Sequence, residues 1–382
     1  MRRAPIKSKP TETIQAIDLV RTLAILPVLA LHSTPRLLNR QSLTEIWDHL
    51  HRNGGYGVSV FFMVSGFLIT RILDLAPGGA FRPSWKNFYA RRVGRILPLL
   101  LLDVLLGLFF WFFLRKKTIL FFYCFHLPIH HWAANFWIPL LFFAFNWARA
   151  YWSLNQWGDI SLHWGLLWSL AVEEQFYFFY PLILRWLGRP RRLIFFLLAL
   201  LGISFGWRWF VMNQPLDNGL DWKWGSFGYF DQIGLGIGLY FIQKQWGSRI
   251  RSKPWAAGLL ALAGTAGFAW VYWSTSGADL FDAFYAPSLA TALLAAGLLG
   301  ALNFSFFEAK LLRPLTWPGK YSYGNYLLHP AVLYFLAPHL VGRSIYFSFP
   351  VFVAASTMVA ALSFHFFETP ANRWVRTKFR AG

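Results

Sequence analysis

An arginine and a histidine stand eleven residues apart in the first apolar stretch of the chain, IDLVRTLAILPVLALHS. On a helix, Arg21 and His32 are almost three whole turns apart, on one face and roughly 16 Å along the axis. Asp18 precedes Arg21 by one turn and can pair with it. A charge at mid-membrane costs about 2.5–3.5 kcal/mol on insertion scales. Two readings therefore stand together: a structural ion pair with an interfacial histidine, or a base and a cation aimed at a cavity. Pro27 lies between them and can bend the helix toward such a cavity. The segment WSLAVEEQFYFFYP holds adjacent carboxylates, Glu173 and Glu174. They point about 100° apart on a helix, so at least one can face a bundle interior. Tyr177 shares the face of Glu173. In YSYGNYLLHP, Tyr326 precedes His329 by one turn. His329 is either catalytic or held by a tyrosine or a backbone carbonyl.

The segment FRPSWKNFYARRVGRILP carries Arg82, Lys86, Arg91, Arg92 and Arg95 and no acidic residue. Arg92 and Arg95 share a helical face, and arginine forks suit bidentate recognition of phosphate. The plainer alternative is cytoplasmic anchoring. Ser65 could be a nucleophile only with a base that no spacing supplies. His126, His130 and His131 have loose metal-ligand spacing, but Pro128 interrupts them and no carboxylate is near, so no metal site is expected. The single cysteine, Cys124, excludes an intramolecular disulfide and a cysteine-based zinc site.

These residues need a scaffold, and composition names its class. The 382 residues are 56% hydrophobic and 14% charged, with mean hydropathy +0.41. Soluble domains are less apolar and richer in charge, and disordered chains far less hydrophobic. The expected fold is an all-α polytopic membrane protein with about ten transmembrane helices in one bundle. Apolar runs of spanning length fall at 17–33, 55–76, 95–114, 166–184, 193–211, 229–243, 255–273, 287–303, 322–337 and 349–367. The formal charge of +20 excludes little by itself. Nucleic-acid binding needs a basic face on a soluble module, and there is none, so no nucleic-acid partner is expected. With the N-terminus inside, 24 of the 36 Lys and Arg fall on the cytoplasmic side. The positive-inside rule then places both termini in the cytoplasm. The division is a basic cytoplasmic N-terminus at 1–16, a membrane domain at 17–370 and a basic cytoplasmic tail at 371–382. The stretch 115–150 reads as a re-entrant or interfacial hairpin. The first run holds Asp18, Arg21 and His32 and no small-residue cleavage site follows, so it reads as a retained span. Gly234, Gly236 and Gly238, and separately Ser65-Gly66-Phe67, read as sites of close helix packing.

Taken in order, the motifs resemble the acyltransferase family 3 membrane proteins, the acyl-CoA-dependent enzymes that O-acylate surface polysaccharides, glycolipids and some small molecules. The matching segments are IDLVR with LALH, GVSVFFMVSGFLI (57–69), FYARRVGRILP, LLWSLAVEEQFYFFYP, YSYGNYLLHP and FHFFETP, the last bringing in Glu368. The resemblance implies ten helices that take an acyl group, usually acetyl, from cytoplasmic acyl-CoA as co-substrate. The acceptor would be a carbohydrate or glycolipid on the outer side, in a bacterial inner membrane, with no permanently bound cofactor. It implies His32 as the catalytic histidine, Arg92 and Arg95, with Arg91 beside them, at the donor, and Glu173 as a catalytic carboxylate. It also implies the form without an appended hydrolase-like domain. A neutral histidine suits removal of an alcohol proton, and Glu173 could fix its tautomer. An acyl-histidine intermediate is the other route. Asp18, Arg21, Tyr177, Tyr326, His329 and Glu368 are expected to support the site, with membrane lipids around the bundle.

The competing class is a transporter or flippase for an anionic glycolipid, which would bring two related halves with broken helices. No such internal symmetry is visible. Topology is open to test. Single cysteines at Asn218 and Lys378 are expected to react with an impermeant label from opposite faces of the membrane, and labelling from the same face would overturn the ten-span arrangement.

Overall fold

The structure, a computed structural model, describes residues 14–37, 45–82, 84–114, 137–148, 165–214, 225–275, 282 and 284–379. Most of the expected 115–150 hairpin lies outside the described residues, as do His126, His130, His131, Cys124, the segment 1–13 and Asn218. Among the described residues the chain is helical, with no strand.

The long helices are α1 (Gln15–Leu37), α3 (Gly55–Leu75), α4 (Trp85–Leu114), α5 (Leu167–Leu187) and α6 (Pro190–Met212), then α7 (Phe230–Arg251), α8 (Pro254–Ser274), α9 (Ala286–Ala301), α10 (Ser322–Leu340) and α11 (Ile345–Ser363). A short α2 (Glu45–Arg52) precedes α3, and a π-helical turn (Phe364–Glu368) joins α11 to α12 (Thr369–Phe379). Their sequences are apolar on most faces, and an apolar medium forces each backbone group to bond within its own helix. Proline opens α6 and α8 at the first helical position, where no donor is lost. Gly188, at φ +63°, ends α5 in the left-handed conformation that a glycine adopts without strain.

Each of the ten apolar runs read from the sequence lies on a helix. Among the described residues, five stretches are long and apolar enough to cross a membrane: Gln15–Thr34, Gly55–Leu75, Pro190–Met212, Pro254–Ser274 and Ile345–Val375. The chain is an integral membrane protein; a count of ten crossings goes beyond these five. The boundary of α4 needs correcting. It begins ten residues before the expected span, so the basic stretch from Lys86 to Arg95 forms its first turns. Arg91, Arg92 and Arg95 therefore sit on a helix whose faces are fixed. Pro27 does not break α1, which runs through it.

Two glycine patterns that looked separate in the sequence meet in one crossing. A Cβ at Gly236 would lie 1.9 Å from the Met63 carbonyl oxygen, and one at Gly66 would lie 2.1 Å from that of Ile233. The backbones of α3 and α7 are in contact there, with no side chain between them. Nearby, a fully buried arginine ties three helices. Arg208 of α6 is 0% exposed and donates to both Asp231 carboxylate oxygens of α7 at 3.0 Å. It also donates to the Gly228 and Phe284 carbonyls and to Ser288 of α9. Each guanidinium nitrogen has a partner, which is what allows the charge to be buried.

Gly236→Val is expected to destabilise the folded protein by about 3 kcal/mol or more, since backbone, not a pliable side chain, must move. Gly202, with nothing within 4 Å of a Cβ, supplies the control. Gly202→Ala should leave stability level or raise it by up to about 1 kcal/mol. Thermal unfolding in detergent compares the two.

Candidate active site

Arg21, Arg92, Arg95, Glu173 and Tyr326, singled out in the sequence, line one cavity of about 820 Å³, counting its open mouth; His32, His329, Asp18, Tyr177 and Glu368 lie outside that lining. Five helices line it. Arg21 comes from α1; Val58, Phe61, Phe62 and Ser65 from α3; Arg92 and Arg95 from α4. Helix α5 gives Ser169 and Glu173, and α10 gives Tyr323 and Tyr326. Helical spacing explains the selection. Arg92 and Arg95 are three apart, as are Tyr323 and Tyr326, and Ser169 and Glu173 are four apart, so each pair shares a face.

One end of the cavity is cationic. Arg21 bonds Asp18 at 3.4 Å. The Arg92 guanidinium lies over the Tyr177 ring, 4.1 Å from its centre, in a cation–π contact. Arg95 is exposed, and that surface opens into the cavity. The Glu173 carboxylate bonds Ser65 and Tyr177 and faces the charges of Arg92 and Arg95. Ser65 and Tyr177 also bond each other through their hydroxyls. Glu174, the neighbouring carboxylate, does not line the cavity; one of its oxygens is buried with no hydrogen bond among the described residues. Glu368 sits behind α10, accepting from Ser363 at 3.4 Å and facing Arg95. Arg91 is on α4 but not in the lining.

The other end closes on the hydroxyls of Ser169 and Tyr326, with two histidines behind them. The Tyr326 hydroxyl bonds Ser169 Oγ at 2.6 Å and reaches the Leu166 carbonyl at 3.2 Å. One turn beyond, His329 Nε2 lies 3.2 Å from His32 Nδ1, with ring centres 5.1 Å apart. His329 is 0% exposed, and its Nδ1 faces the Asn325 and Tyr326 carbonyls at 3.0 and 2.9 Å.

This arrangement corrects one expectation. Glu173, placed in the sequence reading as a carboxylate for His32, faces the arginines, and the nitrogen of His32 meets His329 instead. The physical cause is helix direction: α1 and α3 run antiparallel, which brings Ser65 and its partner Tyr177 toward the Arg21 end. Ser65, Ser169 and Tyr323 belong to the lining and had no visible partners in the sequence. The spacing of Ser169, Glu173 and Tyr177 was the available signal for Ser169. No group of metal-ligating side chains occurs among the described residues.

Chemically, the cavity offers a polyanion a cluster of guanidinium donors at one end and presents an imidazole pair past the other, with apolar walls between. The chain is 28% identical to the putative peptidoglycan O-acetyltransferase YrhL of Bacillus subtilis over 95% of its length, covering 56% of that protein. It is 27% identical to the peptidoglycan O-acetyltransferase OatA of Listeria monocytogenes over 94% of its length, covering 56% of it. Against the O-acetyltransferase OatA of Staphylococcus aureus the identity is 26%, over 94% of this chain and 57% of the relative. The chain thus spans little more than half the length of these curated relatives. No solved structure matches it. The family model described as an acyltransferase domain matches residues 14–366, nearly all of the chain and every residue of the cavity, and the chain belongs to that family, acyltransferase family 3.

Proposed function

We propose that this protein is a membrane-embedded O-acyltransferase. It moves an acyl group, acetyl in the first instance, from cytoplasmic acyl-CoA to a hydroxyl of an extracytoplasmic carbohydrate, with His32 as general base. The observation that carries this reading is the polarity of the cavity: arginines at one end, the histidine pair past the other. The names of the relatives support a polysaccharide acceptor of the peptidoglycan kind. The reading comes with ten crossings, both termini in the cytoplasm and a bacterial inner membrane, supported by the distribution of Lys and Arg.

In this mechanism Arg92, Arg95 and Arg21 hold the phosphates of CoA through charge-assisted bonds. Glu173 and the Tyr177 ring keep Arg92 and Arg95 aimed into the cavity. The thin acyl-pantetheine arm runs along the apolar wall of Val58, Phe61 and Phe62 toward Tyr326. The acceptor hydroxyl oxygen attacks the thioester carbonyl while His32 Nε2 takes the hydroxyl proton. The tetrahedral intermediate collapses with cleavage of the C–S bond, and the proton passes from His32 to the departing thiolate. An ester and free CoA result, and the histidine returns to its starting state.

Two variants test the parts separately. His32→Ala is expected to lower transfer from acetyl-CoA to peptidoglycan fragments by about 10²–10⁴, with CoA affinity retained by titration calorimetry. Turnover near wild type would remove His32 as the base. The double variant Arg92→Ala, Arg95→Ala should raise the Kd for CoA by at least about tenfold, the effect of losing charge-assisted bonds worth about 1.5–3 kcal/mol each. Affinity within twofold of wild type would remove both arginines from the donor site. Loss of acyl mass from surface glycans in the His32→Ala strain would tie the activity to its acceptor.

A further inference from the structure

His329 and Pro330 are adjacent in α10, and their adjacency has a chemical consequence. Proline carries no N–H, so the Tyr326 carbonyl four residues earlier has no helical donor. His329 Nδ1 lies 2.9 Å from that carbonyl oxygen and 3.0 Å from the Asn325 carbonyl. Both are acceptors only, so Nδ1 must carry the proton that is donated to them. In a neutral ring, Nε2 then holds the lone pair. The atom facing Nε2 is His32 Nδ1, at 3.2 Å. A bond across that gap needs a proton on His32 Nδ1, which places the lone pair of His32 on Nε2.

We infer that His329 is a positioning residue that sets the tautomer of His32, and that Pro330 sets the tautomer of His329 by leaving the Tyr326 carbonyl to it. The inference rests on the reading of His32 as base and adds the wiring that makes Nε2 its basic nitrogen. Free neutral histidine favours the opposite tautomer, with the proton on Nε2, so the arrangement must be imposed by the surroundings. Imposing it is the task of a second group on a catalytic imidazole, which a carboxylate performs in serine proteases. Here a neutral imidazole does it. When His32 accepts the acceptor's proton, the Nδ1–H bond to His329 becomes charge-assisted and shortens, stabilising the imidazolium during transfer.

The decisive measurement is ¹⁵N NMR of the imidazole nitrogens in the full-length protein in lipid nanodiscs, with His32 and His329 signals assigned by single substitutions. Both rings are expected as the Nδ1–H tautomer. Finding His32 with its proton on Nε2, or His329 protonated on both nitrogens in the resting protein, would overturn the inference. Kinetics give an independent arm. His329→Gln keeps an acceptor oxygen toward His32 and should stay within about tenfold of wild-type kcat. His329→Leu, similar in bulk but unable to accept, should lose on the order of 10² in kcat with KM for acetyl-CoA unchanged. Equal activity of the Gln and Leu variants would reduce His329 to packing. Pro330→Ala restores an amide donor to Tyr326 and should lower the Nδ1–H population of His329; an unchanged spectrum would remove Pro330 from the wiring. If the Leu variant does not fold, the wild-type spectrum still decides. An inactive His32→Ala protein combined with an Nε2–H tautomer in the wild type would sink this inference alone. An active His32→Ala protein would sink the reading beneath it.

Discussion

Placing a guanidinium in an apolar medium is the constraint that organises this protein. Such a charge must be surrounded by acceptors or left open to something that will supply them. The structure does both, in different places. Arg208 has Asp231, Ser288 and two carbonyls around it and no exposed surface, so it has nothing left to offer a ligand. Its contribution is to hold α6, α7 and α9 together. Arg92 and Arg95 are placed otherwise. Arg92 rests on an aromatic face, and Arg95 is exposed toward a cavity, facing the Glu173 and Glu368 carboxylates rather than encircled by acceptors. Arginine type and depth in the membrane do not separate the two cases; the completeness of the partner set does.

The same distinction explains what the sequence reveals and what it withholds. Runs of apolar residues locate each helix because spanning length and hydropathy are local properties. The start of α4 is misread for an equally local reason: hydropathy begins the run at Arg95, whereas the helix continues back through the basic residues to Trp85. Same-face relationships within one helix, such as Arg92 with Arg95 or Glu173 with Tyr177, are legible from spacing. Relationships between helices are not. Spacing leaves Glu173 free to be a partner of His32, whereas the packing of α3 against α5 brings it to Ser65 and the arginines. His329 and His32 are separated by 297 positions in sequence, and no local pattern announces their contact.

Tyr326 stands where the two ends of the site join. Its hydroxyl caps the cavity by bonding Ser169, and its carbonyl is one of the two acceptors for His329. The ring and the backbone of one residue therefore report to different halves of the chemistry, the side chain to the space where an acyl chain would lie and the main chain to the imidazole pair. A substitution that removes the hydroxyl leaves the carbonyl in place, so the two contributions are separable by mutation.

The crossing of α3 and α7 carries a consequence for motion. Where two backbones touch directly at Gly66 and Gly236, there is no layer of side chains whose rotamers could absorb a sliding displacement. Those helices must travel as one rigid unit. The walls around the arginines are different. There α4, α5 and α10 meet through side chains, in a buried apolar cluster that includes Leu99, Leu170 and Leu327 and in polar contacts such as Tyr323 to the Ile96 carbonyl and Tyr326 to Ser169. Any breathing that widens the passage for a bulky ligand will open along this softer seam, with the α3–α7 pair serving as the fixed post against which it swings.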